Sequence, residues 1–178
     1  MHNSPMYYLK MWVELCRLRI GPQDFPVSPS LLLMAFCAYV FSNIAISLLS
    51  VDVMQAVMVS LLDAVLLIFF LRVALYIRAM PSHLIQALTA LLGAGALFGA
   101  LMLPLVQIIT SAQLSEQAPP PLVLLLWLFL VIWSLLVMGH ILRHALSVRL
   151  ATGIAVSITY AMLSLIVIQN LFPVMVVE

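Results

Sequence analysis

Charge is what this chain has least of: 7% of its 178 residues are Asp, Glu, Lys or Arg, where soluble domains carry about 25%. With 66% hydrophobic residues there is too little polar surface to keep the chain in water, so a soluble globular fold is excluded and an integral membrane protein is expected. A net charge of +1, with the Lys and Arg residues spread over separate breaks, excludes nucleic acid as a partner. Cysteine is scarce too. Cys16 and Cys37 fall in an N-terminal segment and inside the first apolar stretch, away from any oxidising space, so no disulfide is expected. Catalytic signatures are missing: there is no HExxH, no GxSxG, no Walker A lysine loop and no pair of carboxylates facing a polar cavity. Apolar stretches leave no room within these residues for a soluble catalytic module, so the chain is read as non-enzymatic and without a cofactor.

What charge there is falls in a pattern. Lys10, Arg17 and Arg19 come first, then Asp52, then Arg72, Arg78 and His83, then Glu116, then Arg143, His144 and Arg149, and last Glu178. The polar breaks therefore alternate in sign between long apolar stretches. With basic breaks kept on the cytoplasmic side, five helices thread the bilayer with the N-terminus inside and the C-terminus outside. The expected fold is all-α: a polytopic bundle of five transmembrane helices with an N-terminal interfacial amphipathic helix. The spans are about 29–50, 53–77, 84–110, 122–142 and 150–171, each near the ~20 residues that cross ~30 Å of hydrocarbon. Residues 1–28 form a cytoplasmic or interfacial segment and 29–178 the transmembrane domain. The first span is too long for a signal-peptide core and lacks a small-residue cleavage site, so it is expected to stay as an anchor. Compact loops point to a bacterial inner membrane.

Local signals set the boundaries. Ser4 and Pro5 open a helix over 5–20, and Gly21 with Pro22 stops it. Lys10, Glu14 and Arg17 share one face of it, and Tyr7, Tyr8 and Trp12 suit a headgroup environment; the helix either lies in the cytoplasmic interface or docks under the bundle. Ser28 and Pro29 open the first span, and Asp52 with Gln55 caps the second across a turn so short that the two are antiparallel neighbours. Pro104 predicts a kink in the third, Pro119, Pro120 and Pro121 stiffen the entry to the fourth, and Pro173 ends the fifth.

Asp63 is the sharpest single residue. A carboxylate at mid-span costs about 2.5 to 3.5 kcal/mol on insertion scales and needs a partner or a proton. Counting depth at ~1.5 Å per residue, Tyr39 and Tyr160 fall at its level, with Thr159 beside the latter, and their hydroxyls can bond it. Arg72 lies half a turn round the same helix and is a poor partner. Two readings stay open: a proton or cation relay or recognition point, and an acid that ties helices together.

Gly95 and Gly99 form a small-xxx-small pair, and Gly153 and Ser157 repeat the spacing, so these faces are expected to pack helices closely, within the chain or against another subunit. His140 and His144 share a helix face, with His83 at the same level. A metal site there would need a third and fourth ligand with support behind them, and no Cys or carboxylate is placed to serve, so headgroup contact is the expected role and no metal is assigned.

The N-terminal segment, the Pro-punctuated entry Arg19-Ile20-Gly21-Pro22-Gln23-Asp24-Phe25-Pro26 and the five closely spaced helices resemble bacterial membrane proteins of the Yip1-like group. Eukaryotic members of that family act in vesicle trafficking with small GTPases and carry an Asp-Leu-Tyr-Gly-Pro signature, which is absent here. The resemblance implies an accessory five-helix membrane protein and transfers no functional residue. The expected function is a non-catalytic accessory or scaffold subunit whose partners are membrane lipids and another membrane protein or a second copy. The alternatives are a small transporter or ion-conducting oligomer using Asp63, and a lipid- or quinone-linked enzyme using the three histidines.

Overall fold

The computed structural model describes residues 5–172; the expectations for Ser4, Pro173 and Glu178 lie outside them. Among the described residues six α-helices follow one another: α1 (Pro5–Cys16), α2 (Pro29–Ser47), α3 (Val53–Ile77), α4 (Leu84–Leu114), α5 (Pro121–Ala145) and α6 (Leu150–Leu171). The last five are long and apolar enough to cross a membrane. In hydrocarbon a helix satisfies its backbone polar groups internally, which is why apolar runs of this length take that form.

Starts follow the expected chemistry, and α3 and α6 stop where expected, at Ile77 and Leu171, while the N-terminal helix and α4 do not. Ser28 accepts from the backbone N–H of Leu31 at 3.4 Å and Asp52 from that of Gln55 at 2.9 Å. At the other ends, Leu18, Ala79 and Glu116 take left-handed conformations, with φ of 62°, 55° and 53°. Each sits in a Schellman pair, as where Leu18 N–H reaches Leu15 O and Arg19 N–H reaches Glu14 O. The N-terminal helix thus ends at Cys16, short of the expected Gly21–Pro22 stop, because Leu18 has already reversed the backbone. Conversely, α4 runs through Pro104 to Leu114, past the expected end near 110.

Packing makes a ring. In contact order it runs α2, α4, α5, α6, α3 and back to α2, and the α3–α6 seam is its thinnest. Glycines set the closest approaches. A Cβ on Gly95 would lie 2.5 Å from the Tyr39 ring and one on Gly99 would lie 3.0 Å from the Ser42 side chain, both across α2 and α4. Gly153 faces the carbonyl of Gly139 on α5, and the Ser157 hydroxyl donates to Leu135 O at 3.1 Å. All four residues named for packing therefore have neighbours within the chain.

The segment ahead of α2 docks against α4 and α5. Trp12 and Leu15 are buried, and the Trp12 indole donates to Thr89 O at 3.1 Å over Gly93. Trp12 is thus a core residue, where a headgroup position was expected: its flat ring fits the gap that Gly93 leaves. Carbonyls of the irregular stretch that follows are taken up by the bundle, Cys16 O by the Trp133 indole at 3.1 Å, Ile20 O by His140 at 2.9 Å and Phe25 O by Gln86 at 2.7 Å. Burial pushes the Cys16 thiol pKa up to about 11. On the outer face, burial works against the charge of Glu14, but Arg17 and Arg19 at 3.3 Å outweigh it and hold the carboxyl below its ordinary value.

The α5–α6 contact is the one that cannot yield, since a Cβ on Gly153 meets backbone, whereas on Gly99 it meets a small side chain. Gly153→Ala is expected to destabilise the bundle by about 1 to 3 kcal/mol, as overpacking does, and Gly99→Ala by less. Unfolding in mixed micelles with increasing SDS measures both. Equal midpoints for the two variants would refute this ordering.

Candidate functional site

Asp63 stands half-buried at the middle of α3, about ten residues from either charged boundary, Asp52 and Arg72. Three hydroxyls from two other helices converge on its carboxylate. Tyr39 of α2 donates to Oδ2 at 2.5 Å, and Tyr160 and Ser164 of α6 donate to Oδ1 at 3.1 and 2.7 Å. Tyr160 also lies 3.3 Å from the Asp63 backbone carbonyl. Both predicted tyrosines therefore reach the acid. Thr159 does not: its hydroxyl is exposed and donates to Ala155 O at 2.9 Å.

Local geometry explains the convergence. Tyr160 and Ser164 are four apart, so they stand on one face of α6 one turn above the other. Tyr39 lies across Gly95, whose missing Cβ leaves room for the ring, so the packing glycine also positions a ligand of the acid. Phe70 holds Tyr160 from below, with ring centroids 5.2 Å apart. Among the described residues the ion pairs are those of Glu14 with Arg17 and Arg19, so Asp63 has no cationic partner. Three O–H donors on two oxygens can solvate an ionised carboxylate without a counter-ion.

Beside the acid lies a cavity of about 210 Å³, walled by Tyr39, Asn43, Gly95, Ser134 and Tyr160 and floored by Leu91 and Ile141. It is mostly apolar and touches all five long helices. A small apolar ligand with one polar group would fit it, as would a few waters.

The histidines gather at the basic end, the end that carries Arg72, Arg78, Arg143 and Arg149. His83 contacts Ala145 O at 3.2 Å, His140 is spent on Ile20 O, and the His140 and His144 rings meet edge to face at 4.8 Å. Because carbonyls only accept, the bonded ring nitrogens carry protons and are closed to a metal. No three His, Cys, Asp or Glu side chains among the described residues are placed to hold a metal ion.

Ser164 of the hydroxyl cluster and Gly139 of the α5–α6 contact are among the residues that sequence reasoning missed. Spacing held the signal for the first, four positions beyond Tyr160 on its face. Comparison with protein-family models, with curated proteins and with solved structures finds no match to this chain.

If the three hydroxyl bonds hold α3 to its neighbours α2 and α6, their loss has a defined size. Interhelical hydrogen bonds in membranes contribute about 0.6 kcal/mol each and at most about 1.7, so Asp63→Leu is expected to lose roughly 2 kcal/mol and Ser164→Ala about a third of that. SDS-induced unfolding again reads it. A leucine variant as stable as the parent would show that the cluster contributes nothing to cohesion.

Proposed function

We propose that this protein is a non-catalytic accessory or scaffold subunit of a membrane protein complex. It sits in a bacterial inner membrane with its N-terminus in the cytoplasm and its C-terminus on the periplasmic side. One observation carries the reading: Asp63, His83 and His140, the groups best suited to chemistry, are each bonded to other parts of this chain. The small-residue faces are likewise occupied from within. Outward the chain offers apolar helix surface, the exposed charges of the N-terminal segment, Lys10, Arg17 and Arg19, and those at the helix ends, among them Arg72, Arg78 and Arg149. That segment is the docking element in this reading, and the Yip1-like resemblance of the topology accords with it.

Native mass spectrometry after the mildest extraction tests it. The expected result is a stoichiometric second membrane protein that is lost from an Arg17→Glu, Arg19→Glu variant whose bundle stays folded. A protein that leaves the membrane alone, in cells whose other membrane complexes survive its deletion intact, would overturn the proposal.

The cavity beside Tyr39 and Tyr160 favours a second reading, a small transporter or ion-conducting oligomer with Asp63 as its charged site. In proteoliposomes, Asp63→Asn is then expected to abolish substrate or ion flux while leaving the fold intact. Undiminished flux through that variant removes this reading.

A further inference from the structure

Below the Asp63 cluster, α3 and α6 enclose a second space that neither reading uses. It measures about 360 Å³ and is walled by Phe70, Val73 and Ala74 of α3 and by Thr152 and Val156 of α6, with Arg78 at its mouth. We propose that this groove binds one anionic phospholipid of the leaflet at the basic end, with an acyl chain along the groove and the phosphate on Arg78.

Size selects the occupant. From Phe70 to Arg78 the groove runs about 12 Å at ~1.5 Å per residue, close to the ~15 Å half-thickness of a hydrocarbon core of ~30 Å. Spread over that length, 360 Å³ gives a cross-section of about 30 Å²; a helix ~10 Å across needs about 80 Å². A chain fits inside the groove, where a partner helix would only lie across it.

Charge selects the headgroup. The Nε of Arg78 donates to Leu146 O at 3.2 Å, which anchors the guanidinium at the mouth and leaves its terminal amino groups to form a fork for phosphate. Arg149 opens α6 at the same end. Between residues 64 and 172 the single carboxylate is Glu116, beyond the opposite end of α4, so nothing acidic in that stretch competes at this mouth. The groove's ceiling is Phe70, which packs on Tyr160, so an acyl chain here would abut a ring that supports a ligand of Asp63.

The test offers the full chain an equal mixture of phosphatidylglycerol and phosphatidylcholine with matched chains, strips loosely held lipid with detergent, and reads retained lipid by native mass spectrometry. The expected result is one phosphatidylglycerol retained several-fold over phosphatidylcholine. Arg78→Gln should bring the two to parity, Ala74→Phe should lose both by filling the groove, and Arg17→Gln, the same charge change in the turn after α1, should leave the preference unaltered. Equal retention by the unmodified protein overturns the proposal whether or not the variants fold. So does an equal loss in Arg17→Gln and Arg78→Gln, which would mark a diffuse basic surface. Retention by Ala74→Phe as strong as the parent's would mark a headgroup contact without a groove, and also overturns it.

Discussion

A carboxylate at the centre of a membrane-spanning helix has to be answered from within the protein, and the way Asp63 is answered organises the bundle. No cation reaches it, so its partners are hydroxyls, and these stand on the two helices that flank α3 in the ring. Lipid chains are as apolar as leucine, so apolar contact alone gives little reason for these helices to prefer one another over lipid. The polar contact does. It bridges the thinnest seam of the ring, where side-chain packing is least able to hold α3 against α6.

Glycine and polar residues form one device in this arrangement. Tyr39 reaches Asp63 because α2 can approach α4 closely enough for its ring to lie over Gly95. The same logic recurs at the basic end, where Gly93 admits Trp12 and the indole then bonds Thr89 O. In both places a missing Cβ lets an aromatic ring in, and the ring's polar tip makes the specific contact. The irregular stretch ahead of α2 is held in another way, by side chains of α4 and α5 that donate to its carbonyls. His140 belongs to that set, which explains a buried imidazole without invoking a ligand.

The spans were legible because each consists of apolar residues bounded by charge or proline, and depth counting alone brought Tyr39 and Tyr160 to the level of Asp63. Ser164 was hidden because a serine in a membrane helix most often bonds its own backbone, as Ser60 does to Ala56 O at 2.8 Å. The stop of the N-terminal helix was misread for a physical reason. The chain uses Leu18 in the left-handed position, at a cost of roughly 1 to 2 kcal/mol, and nothing in that side chain announces it. Docking of the N-terminal helix was equally opaque, since its fit depends on Gly93 and Thr89, 77 residues from Trp12 in the case of the indole bond.

Burial along the helices divides the bundle into two tiers. From Ala87 to Ala94 every residue of α4 is buried, over more than two turns, so neighbours cover it on all sides. Residues 124–129 of α5, toward the other end, are all exposed and can meet only lipid or another protein. Asp63 and the cavity lie where one tier gives way to the other. A rigid lower tier anchored by the N-terminal segment and a looser upper tier would confine any rearrangement to the half above the acid, because moving the lower half would uncover eight consecutive buried residues and break the bonds that satisfy the carbonyls of Cys16, Ile20 and Phe25.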